Sequence, residues 1–169
     1  DFDALRAAND DRTRVFLLCN PQNPTGRAFG FDELQRLAEI AIEHDLIVLA
    51  DEIHADLVYD GRTHVPFATL GPEVEARTIT FTSATKAFNI AGLRCAVAVM
   101  GSVDLKRRFD AIHRNIRGGL NAPGIAATRV AWTECESWLA EVLGYLQANR
   151  DFLADFVRDQ LPGVRHHKP

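Results

Sequence analysis

Apolar residues in this chain cluster in two ways. Residues 15–19 and 46–51 are short continuous apolar runs, the second ending in Asp51. Runs of that length, bounded by turn residues, read as strands buried in a parallel sheet. Between them lies "FDELQRLAEIAIEHD", in which Leu34, Leu37, Ile40 and Ala41 fall on one helical stripe. Asp32 is the expected N-cap of that helix. Residues 77–83, "RTITFTS", form a β-branched strand and residues 95–101, "CAVAVMG", another. "SATKAFNIAGLR" is a tight connection for a crossover helix, so the last strand is expected to run antiparallel to its neighbour. Helices are expected over residues 103–117, 122–133 and 137–160. The class is α/β, with a mostly parallel sheet.

With 169 residues and 47% hydrophobic composition, the chain can bury one substantial core. A net charge of −4 gives no electrostatic reason to expect nucleic acid or an anionic membrane as partner. No apolar run reaches bilayer length, and no charged-then-apolar leader opens the chain. The three cysteines, Cys19, Cys95 and Cys135, match no zinc or Cys-x-x-Cys spacing. No metal site is expected, and scattered thiols in an acidic chain suggest the reducing cytoplasm. "KRRFDAIHRNIR" alternates basic and apolar residues at helical spacing and reads as a solvated amphipathic helix. The chain starts without Met and stops after "GVRHHKP", as a piece of a longer protein would.

Chemistry-bearing residues sit where the strands end. "CNPQNPTG" (19–26) follows the first strand, with two Asn-Pro pairs and a Gly that permits positive φ. Asp51 closes the second strand, and Ser83 to Lys86 follow the third. In open α/β sheets, ligands bind outside the carboxyl ends of the strands. A Lys and an Asp in one such crevice suit pyridoxal phosphate. The amine forms a Schiff base with the aldehyde, and the carboxylate keeps the ring nitrogen protonated. Ser83, Thr85 and Arg94 could supply phosphate donors, and an Asn amide suits the ring hydroxyl.

"NPQNPTG", "LADEIHADLVYDG" and "TSATKAFNIAGLR", in that order, resemble the aspartate-aminotransferase fold family of pyridoxal-phosphate enzymes. The resemblance implies part of that fold's large domain, with helices on both faces of the sheet. Residues 1–160 would be its later portion and 161–169 the start of a connection to a small C-terminal domain. It also implies that Asn23 bonds the ring hydroxyl, Asp51 the pyridine nitrogen, and Lys86 the cofactor aldehyde. Ser83 and Arg94 would hold the phosphate, and the peptide before Pro24 would be cis. The substrate would be an amino acid, and the intact enzyme a homodimer.

The run 51–70 narrows the resemblance. His54 stands where many aminotransferases of this fold carry a Tyr that bonds the ring hydroxyl. Asp-Glu-Ile-His followed by His64-x-Pro-Phe resembles the cystathionine β-lyase-type C–S lyases. Arg94 is more usual in the transaminases, which remain the alternative. A cofactor-sensing half of a transcription regulator is a third reading.

Overall fold

The computed structural model describes residues 1–169. Strands β1 (Val15–Cys19), β2 (Ile47–Asp51), β3 (Thr78–Thr82) and β4 (Val97–Met100) form one sheet in that order. β1, β2 and β3 run parallel, and β4 pairs antiparallel with β3, as the short connection predicts. The last strand is shorter than expected: Cys95 is buried ahead of it and Gly101 lies beyond it. An added Cβ on Gly101 would fall 1.6 Å from the Glu75 carbonyl oxygen, so no side chain fits where β4 leaves the sheet.

One face of the sheet carries the main core. Side chains alternate along a strand, and Leu18, Val48 and Ala50 point towards helix α2 (Phe31–Glu43). Leu34, Leu37, Ala38 and Ala41 of α2 meet them, together with Phe67 and Val74. Burying each large aliphatic contributes about 1.5–3 kcal/mol before entropy is subtracted. Phe67 opens a 3₁₀ turn (Phe67–Leu70), and Val74 lies in helix α3 (Pro72–Ala76). A short N-terminal helix, α1 (Phe2–Ala7), packs Phe2 and Leu5 on the same cluster. On the opposite face, Val15 and Leu17 are exposed.

Helix α2 begins earlier than the sequence suggests. Its N-cap is Gly30, not Asp32, because Glu33 reaches back to accept the Gly30 N–H at 3.0 Å. This carboxylate-to-backbone bond satisfies a donor the helix cannot pair internally. Asp32 and Glu33 then both fall in the first turn, where negative charge complements the helix dipole.

After β3 come α4 (Ala84–Ala87) and a 3₁₀ turn (Ala91–Leu93). Two long helices follow, α7 (Ala122–Glu134) and α8 (Glu136–Gln160), close to their expected spans. Ala84, Ala87 and Phe88 pack on Ala131 of α7, and Phe88 stacks on Trp138 of α8 at 5.8 Å. The expected helix over residues 103–117 is broken into α5 (Val103–Asp110) and α6 (Arg114–Arg117). Ile112 and Ile116 are exposed, so no buried face sustains the helix through this stretch. Arg117 takes up the freed Ile112 carbonyl at 3.0 Å instead.

Candidate active site

The sheet order gathers the polar strand ends. β1, β2 and β3 are parallel, so their carboxyl ends lie together, and antiparallel β4 begins at that same end, Val97 pairing with Thr82. Asn23 follows β1, Asp51 closes β2, and His54 lies just beyond it. Ser83 and Lys86 follow β3, and Arg94 precedes β4. All six expected residues therefore occupy one end of the sheet.

Asp51 has Cys19 and Phe81 as its register partners on either side. Alternation places these three on the face opposite the α2 core. Asp51 is half-buried, and its Oδ1 accepts the Ile53 N–H at 3.2 Å. Its second oxygen remains available to a ligand donor.

The Asn-Pro turn is tied to β2. Asn20 is buried at 3% exposure, donates its N–H to the Asp51 carbonyl at 3.0 Å, and accepts the Phe29 N–H on Oδ1 at 2.9 Å. Gln22 closes the tip, donating to the Asn23 carbonyl and accepting from the Thr25 N–H. Gly26 takes φ 70°, the left-handed conformation a Gly supplies without strain. Pro24 follows a cis peptide as expected, and so does Pro21, which the motif alone does not indicate. Asn23 itself is exposed, its amide free of intramolecular bonds.

Lys86 on α4 is exposed and belongs to no ion pair, unlike the other two lysines: Lys106 pairs with Asp110 and Lys168 with Asp151. Arg94 is also exposed and unpaired, and it holds φ 47°, ψ 56°. Ser83 differs from both. It is 1% exposed, caps α4 by accepting the Thr85 N–H at 3.1 Å, and donates its hydroxyl to the Cys95 carbonyl, with Thr85 Oγ1 2.8 Å away. As folded, Ser83 joins the α4 start to the approach of β4, while Arg94 is the group presented outward.

The sequence reading missed three supporting contacts. Glu52, beside Asp51 but facing the core, accepts the Phe67 N–H at 2.8 Å and meets His64 Nε2 at 3.0 Å. Both side chains are over nine-tenths buried, so His64, though in a loop, is a structural partner of Glu52. Asn20 is the second, and its place in the repeated Asn-Pro pattern was the available signal. The third is Arg150 of α8, buried and bidentate on Asp60. His54 is half-buried, and its backbone carbonyl closes a turn to Leu57.

A cavity of about 960 Å³ lies between the Asn-Pro turn and residues 57–62, and none of Asp51, Ser83, Lys86 or Arg94 lines it. The candidate donor set lies outside it, at the sheet end. It offers a free amine, a guanidinium, an amide and a carboxylate with an open oxygen. These fit the parts of pyridoxal phosphate: aldehyde, phosphate, ring oxygen and ring N–H.

Comparison with known proteins agrees with this frame. The family model "Aminotransferase class I and II" matches residues 1–169. Cystathionine beta-lyase PatB of Bacillus subtilis is 36% identical over 171 residues, covering 100% of this chain and 44% of that protein. The PLP-bound C-S lyase from Staphylococcus hominis superposes with TM-score 0.91 at 35% identity, over 100% of this chain and 42% of its own. N-succinyldiaminopimelate aminotransferase from Mycobacterium tuberculosis superposes with TM-score 0.84 at 35% identity, over 94% of this chain and 41% of its own. The chain thus spans less than half the length of these relatives. A match along its whole length, with the motif residues gathered at one sheet end, assigns the chain to the class I and II aminotransferase family.

Proposed function

We propose that this chain is the cofactor-holding portion of a pyridoxal-phosphate-dependent C–S β-lyase. Its amino-acid substrate carries a thiolate leaving group on Cβ. The observation that carries this reading is the run 51–70, with His54 after Asp51-Glu52-Ile53, together with 36% identity to cystathionine beta-lyase PatB along the full chain. Residues 1–160 are read as the later part of a large domain and 161–169 as a connection onward, within a cytoplasmic homodimer.

The cofactor, when bound, supplies an electron sink for negative charge at the substrate Cα. Each residue has a distinct task. Lys86 Nζ would hold the aldehyde and, once the substrate amine has displaced it, would accept the Cα proton. Its side chain is exposed on α4 and engaged in no ion pair, which leaves it accessible for both tasks. The open oxygen of Asp51 holds the ring N–H, and a carboxylate there favours the charged, electron-accepting ring. Asn23 donates its amide to the ring oxygen, and Arg94 pairs with the phosphate. Ser83, read with Arg94 as a phosphate ligand, also fixes the α4 start from which Lys86 projects.

The same residues serve transamination, and Arg94 with the aminotransferase relative favours that second reading. The two differ in where Lys86 returns its proton and in whether a leaving group is aligned on Cβ. Incubation of the full-length enzyme with L-cystathionine decides between them. Release of pyruvate, ammonia and homocysteine without added keto acid is the expected result. Amino transfer to a keto acid with no pyruvate formed replaces the lyase reading with the second.

A further inference from the structure

Arg94 is the one expected cofactor ligand with a strained backbone. A left-handed conformation is unfavourable for a non-Gly residue, and it persists where the surroundings over-determine it. The Ala91–Leu93 turn supplies part of the constraint, since the Arg94 N–H returns to the Ala91 carbonyl at 3.2 Å. The Leu93 carbonyl, which belongs to the same peptide unit as the Arg94 nitrogen, is held from elsewhere. Asn121 Nδ2 donates to it at 2.7 Å across 28 residues.

Asn121 does two jobs with one amide. Its Oδ1 accepts the Gly124 N–H at 2.6 Å and caps α7, while its Nδ2 grips Leu93. Gly124 makes the approach possible. It is buried, and a Cβ there would sit 2.5 Å from the Leu93 oxygen and 3.1 Å from Asn121 Oδ1. The start of α7 is therefore docked onto the Leu93–Arg94 peptide through a bond and a close contact, each needing its own residue type.

We propose that Asn121 and Gly124 are positioning residues for Arg94: they fix the Leu93 carbonyl so that the Arg94 backbone stays left-handed and its guanidinium is aimed at an anionic group. The inference rests on the reading of Arg94 as the phosphate ligand of the cofactor. Asn121 touches neither cofactor nor substrate. Its effect reaches the ligand through one peptide plane.

The test compares pyridoxal phosphate with pyridoxal, which lacks the phosphate, by equilibrium binding to cofactor-stripped full-length enzyme. Arg94→Ala should weaken pyridoxal phosphate binding and leave pyridoxal binding unchanged. Asn121→Ser keeps a good N-cap and adds no charge, yet removes the amide donor to Leu93. It should weaken pyridoxal phosphate binding by about fivefold, the range of one lost hydrogen bond, with pyridoxal unaffected. Gly124→Ala should act in the same direction. In an Arg94→Ala background, Asn121→Ser should add nothing, because the group it aims is gone. If Arg94→Ala shows the phosphate-specific loss but Asn121→Ser weakens both ligands equally or neither, the positioning role is overturned while the Arg94 assignment stands. If Arg94→Ala affects both ligands alike, the phosphate assignment fails and takes the positioning role with it.

Discussion

Arg150, near the middle of α8, grips Asp60 with two hydrogen bonds of 2.8 and 2.9 Å across 90 residues of sequence. Its guanidinium also lies 4.9 Å from the Tyr59 ring centroid, and Gln147 one turn earlier accepts the Asp60 N–H at 2.9 Å. The loop that follows Asp51 and His54 is thereby anchored to the long helix. The Arg150 hydrogen bond holds the Asp60 carboxyl below its usual range, and Lys168 and Arg150 do the same for Asp151. A depressed carboxylate pKa contributes stability above the unfolded value near ~4, and that stability is lost as pH falls through the folded pKa. Arg150→Ala should therefore lower the full-length enzyme's thermal midpoint at neutral pH, with the gap to wild type closing below about pH 4. A gap that stays constant to pH 2 would mean the ion pairs contribute nothing.

Glu52 and His64 form the second anchor, one residue from Asp51. Glu52→Ala removes the acceptor for the buried Phe67 N–H and strands His64, whose Nδ1 is already buried without a partner. A destabilisation of about 2–4 kcal/mol is expected by chemical denaturation. Glu52→Gln, which can still accept the Phe67 N–H, should cost less. Equal effects for the two variants would show that the Phe67 bond is not what Glu52 provides.

Lys86 is the lysine without an ion-pair partner, since Lys106 and Lys168 are each engaged by an aspartate, and it is the proposed point of cofactor attachment. Borohydride reduction of the full-length holoenzyme should fix the cofactor to Lys86, and Lys86→Ala should abolish the attachment. Mass-spectrometric recovery of the label on Lys106 or Lys168 would reject this assignment.

Asp51→Asn keeps a side chain of the same shape at the end of β2 but removes the charge proposed to face the ring nitrogen. Removal of the Cα proton should slow by at least about 10²-fold, with cofactor affinity changed far less. Rapid-kinetic measurement of proton exchange at Cα reads this step directly. A variant with near-normal exchange would remove Asp51 from the chemistry.

Much of this protein was legible from local sequence. Apolar runs such as 46–51 carry their own evidence of burial, and the short link between Ser83 and Cys95 was enough to make the last strand antiparallel. The placement of the candidate site residues was legible for the same reason: each stands at a strand end, and parallel strands bring their ends together. Tertiary structure decided the rest. Glu33, rather than Asp32, organises the start of α2 because a side chain can reach back to Gly30. The helix expected over residues 103–117 breaks where Ile112 and Ile116 stay exposed and offer it no buried face. Ser83 faces inward because β4 returns the Cys95 carbonyl to it. Asn121 meets Leu93, and Arg150 meets Asp60, through separations that no local pattern encodes. Hydrophobic period and strand-end chemistry are properties of a segment and can be read from it. A hydrogen-bond partner dozens of residues away is chosen by how the packed elements cross, so it exists only once the sheet and helices are in place.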